Sequence, residues 1–144
     1  MTTARKRALS RPKLNRDYII LVVEDSPDTR DLLRLLFEAE GYRVLTAGDG
    51  LSAVEIALRE LPDAIVMDMS LPRLDGYNAA RIIRREPALA GVPLIACTAL
   101  NRWEWRGKAI AAGFDAFLTK PLDTGLLAAT IAALLARGTD SGTQ

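Results

Sequence analysis

The chain contains no histidine. That absence removes histidine-ligated metal sites, Ser-His-Asp and Cys-His catalysis, and any phosphohistidine of the chain's own. If phosphohistidine chemistry is involved, the histidine belongs to a partner. Cysteine occurs once, at Cys97, so no internal disulfide can form. Its place in an apolar run fits a buried inert thiol, a reducing compartment and a cytoplasmic location. No apolar run approaches the ~20 residues that a membrane-spanning helix needs. With 49% hydrophobic and 26% charged residues, the composition is that of a soluble globular protein. Acids are missing from residues 1–16, which hold six basic side chains: Arg5, Lys6, Arg7, Arg11, Lys13 and Arg16. The other 128 residues carry 13 basic against 18 acidic side chains, a net charge of −5. The basic segment reads as a disordered, solvated tail, with contact to nucleic acid, anionic lipid or an acidic partner as the alternative. It lacks the apolar stretch of a secretory signal, although its Arg-rich, acid-free composition overlaps with that of organellar transit peptides.

At 144 residues the chain amounts to one domain. Short apolar runs alternate with longer amphipathic segments from Tyr18 onward. The runs predict strands at Tyr18–Val23, Arg43–Ala47, Ala64–Met67, Leu94–Thr98 and Ala116–Leu118. Helical patterns lie at Asp28–Glu40, Leu51–Glu60, Gly76–Arg85, Arg102–Ala112 and Thr124–Arg137. A fivefold βα alternation calls for an α/β fold: a five-stranded parallel sheet, doubly wound and flavodoxin-like, with helices on both faces. Ser26 with Pro27, Asp49, Asp75, and Asp123 or Thr124 are the expected helix starts, and Gly41 and Gly138 the expected stops. Leu32, Leu33, Leu35 and Leu36 are expected to bury one side of the first helix, and Leu126, Leu127, Ile131, Leu134 and Leu135 one side of the last. The domain is placed at 17–138, between a tail at 1–16 and a frayed end at 139–144. No Gly/Ser linker, second domain or solenoid repeat is visible, and no DNA-binding or other output domain fits after Arg137.

Chemistry-bearing residues close four of the five strands: Glu24-Asp25, Asp68, Thr98 and Lys120-Pro121. In an open parallel sheet, ligands bind outside the carboxyl ends of the strands. Taken singly, each residue has a plain explanation. Asp68 reads as a turn or helix cap, Glu24-Asp25 as acids favoured at a helix start, Thr98 as a strand residue and Lys120 as a solvated charge. Together they place three carboxylates near one another, and like charges so close need compensation. A hard divalent cation, Mg²⁺ or Mn²⁺, supplies it, with Asp25 and Asp68 as expected direct ligands and Glu24 acting through water. Asp68 can then accept a phosphoryl group by in-line attack, with Lys120 and the Thr98 hydroxyl on the other phosphoryl oxygens.

These segments carry a resemblance. Ile20–Asp25, Val66–Gly76, Pro93–Ala99 and Gly113–Pro121 are similar to the receiver domain of bacterial two-component response regulators, over about residues 18–137. The resemblance implies phosphotransfer to Asp68 from the histidine of a kinase or a phosphotransfer protein, with Mg²⁺ held by Glu24, Asp25, Asp68 and the backbone carbonyl of Ser70. It implies that the chain is not an enzyme beyond its own phosphorylation and dephosphorylation. Thr98 and Phe117 match the family's switch pair, although an aromatic on a short strand also reads as core. The face of the fourth helix, fifth strand and fifth helix is then expected to contact a downstream protein, or a second copy on phosphorylation. Lys120-Pro121 matches the place where the family has a cis peptide bond.

Two features depart from the family pattern. Leu100 and Ser70 lie two residues beyond Thr98 and Asp68, and the apolar Leu100 cannot orient a water, which predicts slow hydrolysis of the aspartyl phosphate. Trp103 and Trp105 point about 200° apart on a helix, so one of them is expected to be exposed as an anchor for a partner. A loop in which both cover the sheet edge is the other option. Competing functions are a receiver that only scaffolds partners, a haloacid-dehalogenase-type phosphatase and a flavin or nucleotide carrier. The phosphatase class wants a second aspartate where Ser70 stands, and a carrier cradles phosphate with Gly/Ser/Thr-rich turns where this chain has acids.

Overall fold

The computed structural model describes residues 14–99 and 103–142, and the side chains of residues 103–105 and 138–142 fall outside that description. Most of the basic tail and Leu100 therefore lie outside the described residues. Five βα units follow one another: β1 (Ile19–Val23), α1 (Pro27–Ala39), β2 (Arg43–Ala47), α2 (Gly50–Glu60), β3 (Ala64–Asp68), α3 (Gly76–Arg85), β4 (Leu94–Thr98), α4 (Trp103–Ala112), β5 (Ala116–Thr119) and α5 (Thr124–Gly142). All pairings are parallel, in the order β2-β1-β3-β4-β5. This is the doubly wound, flavodoxin-like α/β sheet expected from the alternation.

The strands divide their side chains between two cores, as a period of two requires. Leu21, Val23, Ile65, Met67 and Leu94 pack against Ala53 and Ala57 of α2 and Ala79, Ala80 and Ile83 of α3. Ile20, Val22, Val66, Ile95 and Cys97 face the opposite way, against Leu33 and Phe37 of α1 and Leu127, Ile131, Leu134 and Leu135 of α5. A smaller cluster of Met69, Ala96 and Ala109 lies under α4. Because β1, β3 and β4 are covered on both sides, they read as unbroken apolar runs rather than alternating ones.

The helix starts are held as expected. Ser26 Oγ accepts from the Thr29 N–H (3.4 Å), Asp49 from Ser52 (2.8 Å), Asp75 from Asn78 (2.8 Å) and Asp123 from Leu126 (3.0 Å). Gly41 ends α1 at φ 96°, with its N–H on the Glu38 carbonyl and the N–H of Tyr42 on that of Phe37. The left-handed conformation there is one that glycine adopts without steric cost.

Three expectations need correction. Leu32 and Leu35 are 57% and 56% exposed, so the buried side of α1 consists of Leu33, Phe37 and part of Leu36. Four leucines in five residues span too wide an arc for one face at 3.6 residues per turn. Leu126 is 52% exposed for the same reason, since Leu127 takes the inward position beside it. Gly138 does not stop α5, which runs to Gly142. A single glycine inside a helix costs only about 1 kcal/mol. From Trp103 onward the tryptophan segment is helical rather than a loop, while exposure of Trp103 and Trp105 lies outside the described residues.

Candidate functional site

The carboxyl ends of β1, β3, β4 and β5 converge on one edge of the sheet, and each delivers one part of the site. Glu24 follows β1 directly. Its N–H donates to the Ala47 carbonyl at the end of β2 (3.1 Å), and its side chain is buried at 2% exposure. Asp68 is the last residue of β3 and is 6% exposed. Asp25 stands on the solvent side of the pair. One carboxylate oxygen from each of Glu24, Asp25 and Asp68 lies within 4.8 Å of the others.

Lys120 ties the two buried acids together. Its Nζ donates to Glu24 Oε1 at 2.8 Å and to Asp68 Oδ2 at 2.8 Å. The remaining carboxylate oxygens take backbone donors: Glu24 Oε2 accepts from the Ser26 N–H (3.1 Å) and Asp68 Oδ1 from the Ser70 N–H (2.9 Å). Lys120 is aimed inward at the end of β5, where its own N–H donates to the Thr98 carbonyl (2.7 Å) and its peptide bond to Pro121 is cis. Burial works to lower the lysine pKa. The hydrogen bonds to Asp68 and Glu24 and the charges of both overcome that and hold it well above its ordinary value. For Asp25 the carboxyl is held above its usual range, first by its side-chain contact with Glu24, then by burial and by the Glu24 charge.

Thr98 closes β4 next to Cys97, the residue in register with Asp68, and is 2% exposed. Phe117 sits in β5 opposite Ala96, half-buried against Met69, Ala96 and Ala109. With Arg106, Ala109, Ile110 and Phe114 it lines a cleft of about 290 Å³ between α4 and β5. The structure therefore brings Glu24, Asp25, Asp68 and Lys120 into one cluster, sets Thr98 at the neighbouring strand tip, and keeps Phe117 behind it. Ser70 is exposed in the loop after β3 and reaches the cluster through its N–H. Cys97 is buried, and its thiol pKa is pushed up to about 12, first by burial and then by the Asp68 charge.

Sequence reasoning gave Lys120 to the phosphoryl oxygens and did not foresee that it bridges Glu24 and Asp68. In the sequence Gly76 opens the third helix after the Asp75 cap and ends the Val66–Gly76 family segment, with no sign of its close packing. A Cβ there would collide with the Asp68 carbonyl oxygen and come within 2.9 Å of the Met69 Cα, so α3 begins hard against the backbone that carries Asp68.

The sequence matches the response regulator receiver domain over residues 20–132. It is 44% identical over 104 residues to an uncharacterized 14.6 kDa protein of Leptolyngbya boryana, covering 72% of this chain and 79% of that one. It is 35% identical over 118 residues to the DNA-binding transcriptional regulator RpaA of Synechocystis, covering 82% of this chain but only 49% of RpaA. The chain thus spans about half the length of that relative. Among solved structures, the receiver domain of the sensor histidine kinase PA1611 from Pseudomonas aeruginosa has a magnesium ion coordinated in its active-site cleft. It superposes with a TM-score of 0.77 at 37% identity, covering 83% of this chain and 98% of that one. The chemotaxis protein CheY4 of Vibrio cholerae gives a TM-score of 0.77 at 26% identity, covering 81% of this chain and 98% of that one. No described helix is long and apolar enough to cross a membrane. With its strand order, its acidic cluster and a family match that spans most of its length, the chain belongs to the response regulator receiver domain family.

Proposed function

We propose that the protein is a phosphorylation switch in which Asp68 accepts a phosphoryl group from a histidine of a partner kinase or phosphotransfer protein. The observation that carries this reading is the cluster itself: three carboxylates with oxygens within 4.8 Å, two of them buried and bridged by one lysine. Hard oxygen donors at that spacing suit Mg²⁺, with Asp25, Asp68 and the Ser70 carbonyl as direct ligands and Glu24 acting through water. When bound, the ion offsets charge on the transferring phosphoryl oxygens.

The chain's own residues do the rest. An Asp68 carboxylate oxygen attacks phosphorus in line, the P–N bond to the donor histidine breaks, and its electron pair stays with the imidazole, which is then free to take a proton. Lys120 leaves Asp68 Oδ2 for a phosphoryl oxygen, and the Thr98 hydroxyl binds another. Drawing Thr98 inward opens space for the Phe117 ring, which changes the surface formed by α4, β5 and α5. The phosphoryl group thus favours the conformer in which Thr98 and Lys120 can reach it. Signalling follows through contacts of that surface with another protein or with a second copy of the chain.

The test incubates the protein with acetyl phosphate or phosphoramidate and Mg²⁺ and measures intact mass. A gain of one phosphoryl group that is absent in Asp68→Asn is expected. No gain with any donor would leave a receiver that only scaffolds partners, and free phosphate released over many turnovers would mark a phosphatase.

A further inference from the structure

We propose that Arg30 is a positioning residue for metal binding, acting through the peptide group that joins Glu24 to Asp25. The inference rests on the metal-dependent reading above and deepens it. Arg30 Nη1 donates to the Glu24 carbonyl oxygen at 2.9 Å. That carbonyl belongs to the peptide bond leading into Asp25, so the guanidinium fixes the peptide plane from which the Asp25 side chain departs.

Arg30 reaches this place because of two local features. The first is the start of α1, where Ser26 Oγ accepts from Thr29 and the Ser26 carbonyl accepts from the Arg30 N–H (2.9 Å), setting the first turn directly behind the β1–α1 loop. The second is Gly48 in the β2–α2 loop. A Cβ there would lie 3.0 Å from Arg30 Nη1 and 3.8 Å from Cζ, so the guanidinium rests against bare backbone. An alanine at 48 would press on the atom that holds the Glu24 carbonyl.

Glu24 is then held at every polar group. Its N–H is on Ala47, its carbonyl is on Arg30, and its two carboxylate oxygens are on Lys120 and the Ser26 N–H. Asp25 is the solvent-side member of the cluster and depends on that frame for its direction. A charged donor makes the stronger kind of hydrogen bond to a carbonyl, and partners one step removed from a metal ligand commonly change metal affinity about 10- to 100-fold when lost.

The experiment is a Mg²⁺ titration of the full chain by isothermal calorimetry, with unfolding midpoints in EDTA measured alongside. Arg30→Met is expected to weaken Mg²⁺ binding about tenfold. Arg30→Lys, which keeps one N–H donor, recovers part of the loss. Gly48→Ala weakens binding in the same direction, and the Arg30→Met/Gly48→Ala double variant is no weaker than Arg30→Met, because both changes act on one contact. Mg²⁺ binding by Arg30→Met within about twofold of wild type, or losses that multiply in the double variant, would overturn the inference. A purely structural role for Arg30 would lower the midpoint in EDTA and leave affinity unchanged, which also overturns it. Should Arg30→Met fail to fold, Gly48→Ala and Arg30→Lys decide. A wild-type protein that binds no Mg²⁺ removes the metal-dependent reading and the inference together; a wild type that binds beside an unaffected Arg30→Met removes the inference alone.

Discussion

Replacing Lys120 with methionine tests the electrostatic design of the site. Methionine keeps most of the aliphatic stem and deletes the charge that sits 2.8 Å from both Glu24 and Asp68. At that distance and an effective dielectric of about 20, each contact corresponds to about 6 kcal/mol of attraction, most of it offset by the cost of desolvating the charges. Removing one partner of a buried ion pair costs about 3–5 kcal/mol, because the other charge is left uncompensated. The lysine side chain is 32% exposed while Glu24 and Asp68 are nearly enclosed, which puts the expected loss at the low end, about 3 kcal/mol. For a chain of this size that lowers Tm by about 10 °C. Thermal unfolding of wild type and Lys120→Met in EDTA reads it directly. Mg²⁺ should stabilise the variant more than the wild type, because the ion takes over the missing charge and so binds the variant more tightly; at 100 times the variant's Kd its gain is about 2.7 kcal/mol, and the wild type at the same Mg²⁺ concentration gains less. Equal Tm values in EDTA, or a gap that Mg²⁺ leaves untouched, would refute the reasoning.

Three further substitutions or reactions probe the same edge of the sheet. Gly76→Ala should destabilise by about 2 kcal/mol in urea unfolding, because overpacking against the Met69 Cα and the Asp68 carbonyl outweighs the helix-propensity gain of at most ~1 kcal/mol. A more stable variant would contradict the close approach. Asp25 has a raised folded-state pKa, so the folded state binds its proton more tightly than the unfolded state does, and stability falls as pH rises through the window from the ordinary aspartate value to the raised one. Asp25→Asn should therefore raise the metal-free unfolding midpoint at neutral pH, show no gain well below pH 3.8, and lose Mg²⁺ binding; an unchanged midpoint at pH 7 would count against this. Cys97, 2% exposed and with its thiol pKa pushed up to about 12, should be alkylated by iodoacetamide at pH 8 only as fast as the protein unfolds. Labelling within minutes under native conditions would show that the strand opens locally.

The alternation of apolar runs and amphipathic segments made the sheet legible, because β1, β3 and β4 are buried on both faces and helices of ten or more residues separate the strands in between. The strand-tip residues were legible for the same reason: once Asp68 closes a central parallel strand, its position at the ligand-binding edge follows from topology. What remained hidden depends on distances across the chain. Lys120 and Glu24 are 96 residues apart in sequence, and no local pattern shows that the ammonium chooses Glu24 as well as Asp68. The burial of Leu33 over Leu32 and Leu35 depends on how α1 rolls on the sheet, and a leucine-rich helix fits several rolls. Gly76 and Gly48 look like ordinary turn glycines until the carbonyl and the guanidinium beside them are located.

Lys120 also explains how two buried carboxylates can be held side by side, each 2.8 Å from one ammonium group, with Asp25 on the solvent side of the pair. Its single positive charge is shared between the two buried acids, while the Asp25 carboxyl is held above its usual range first by its side-chain contact with Glu24, then by burial and the Glu24 charge. On the proposed reading, Asp25, Asp68 and the Ser70 carbonyl would hold a divalent ion whose charge would add to that of Lys120, and a phosphoryl group on Asp68 would give that lysine a new anion within reach. Because the Lys120 N–H is bound to the Thr98 carbonyl at 2.7 Å, any shift of the lysine backbone is felt at the tip of β4. The residue that bridges the two buried acids is thereby joined by one hydrogen bond to the residue proposed to report phosphorylation.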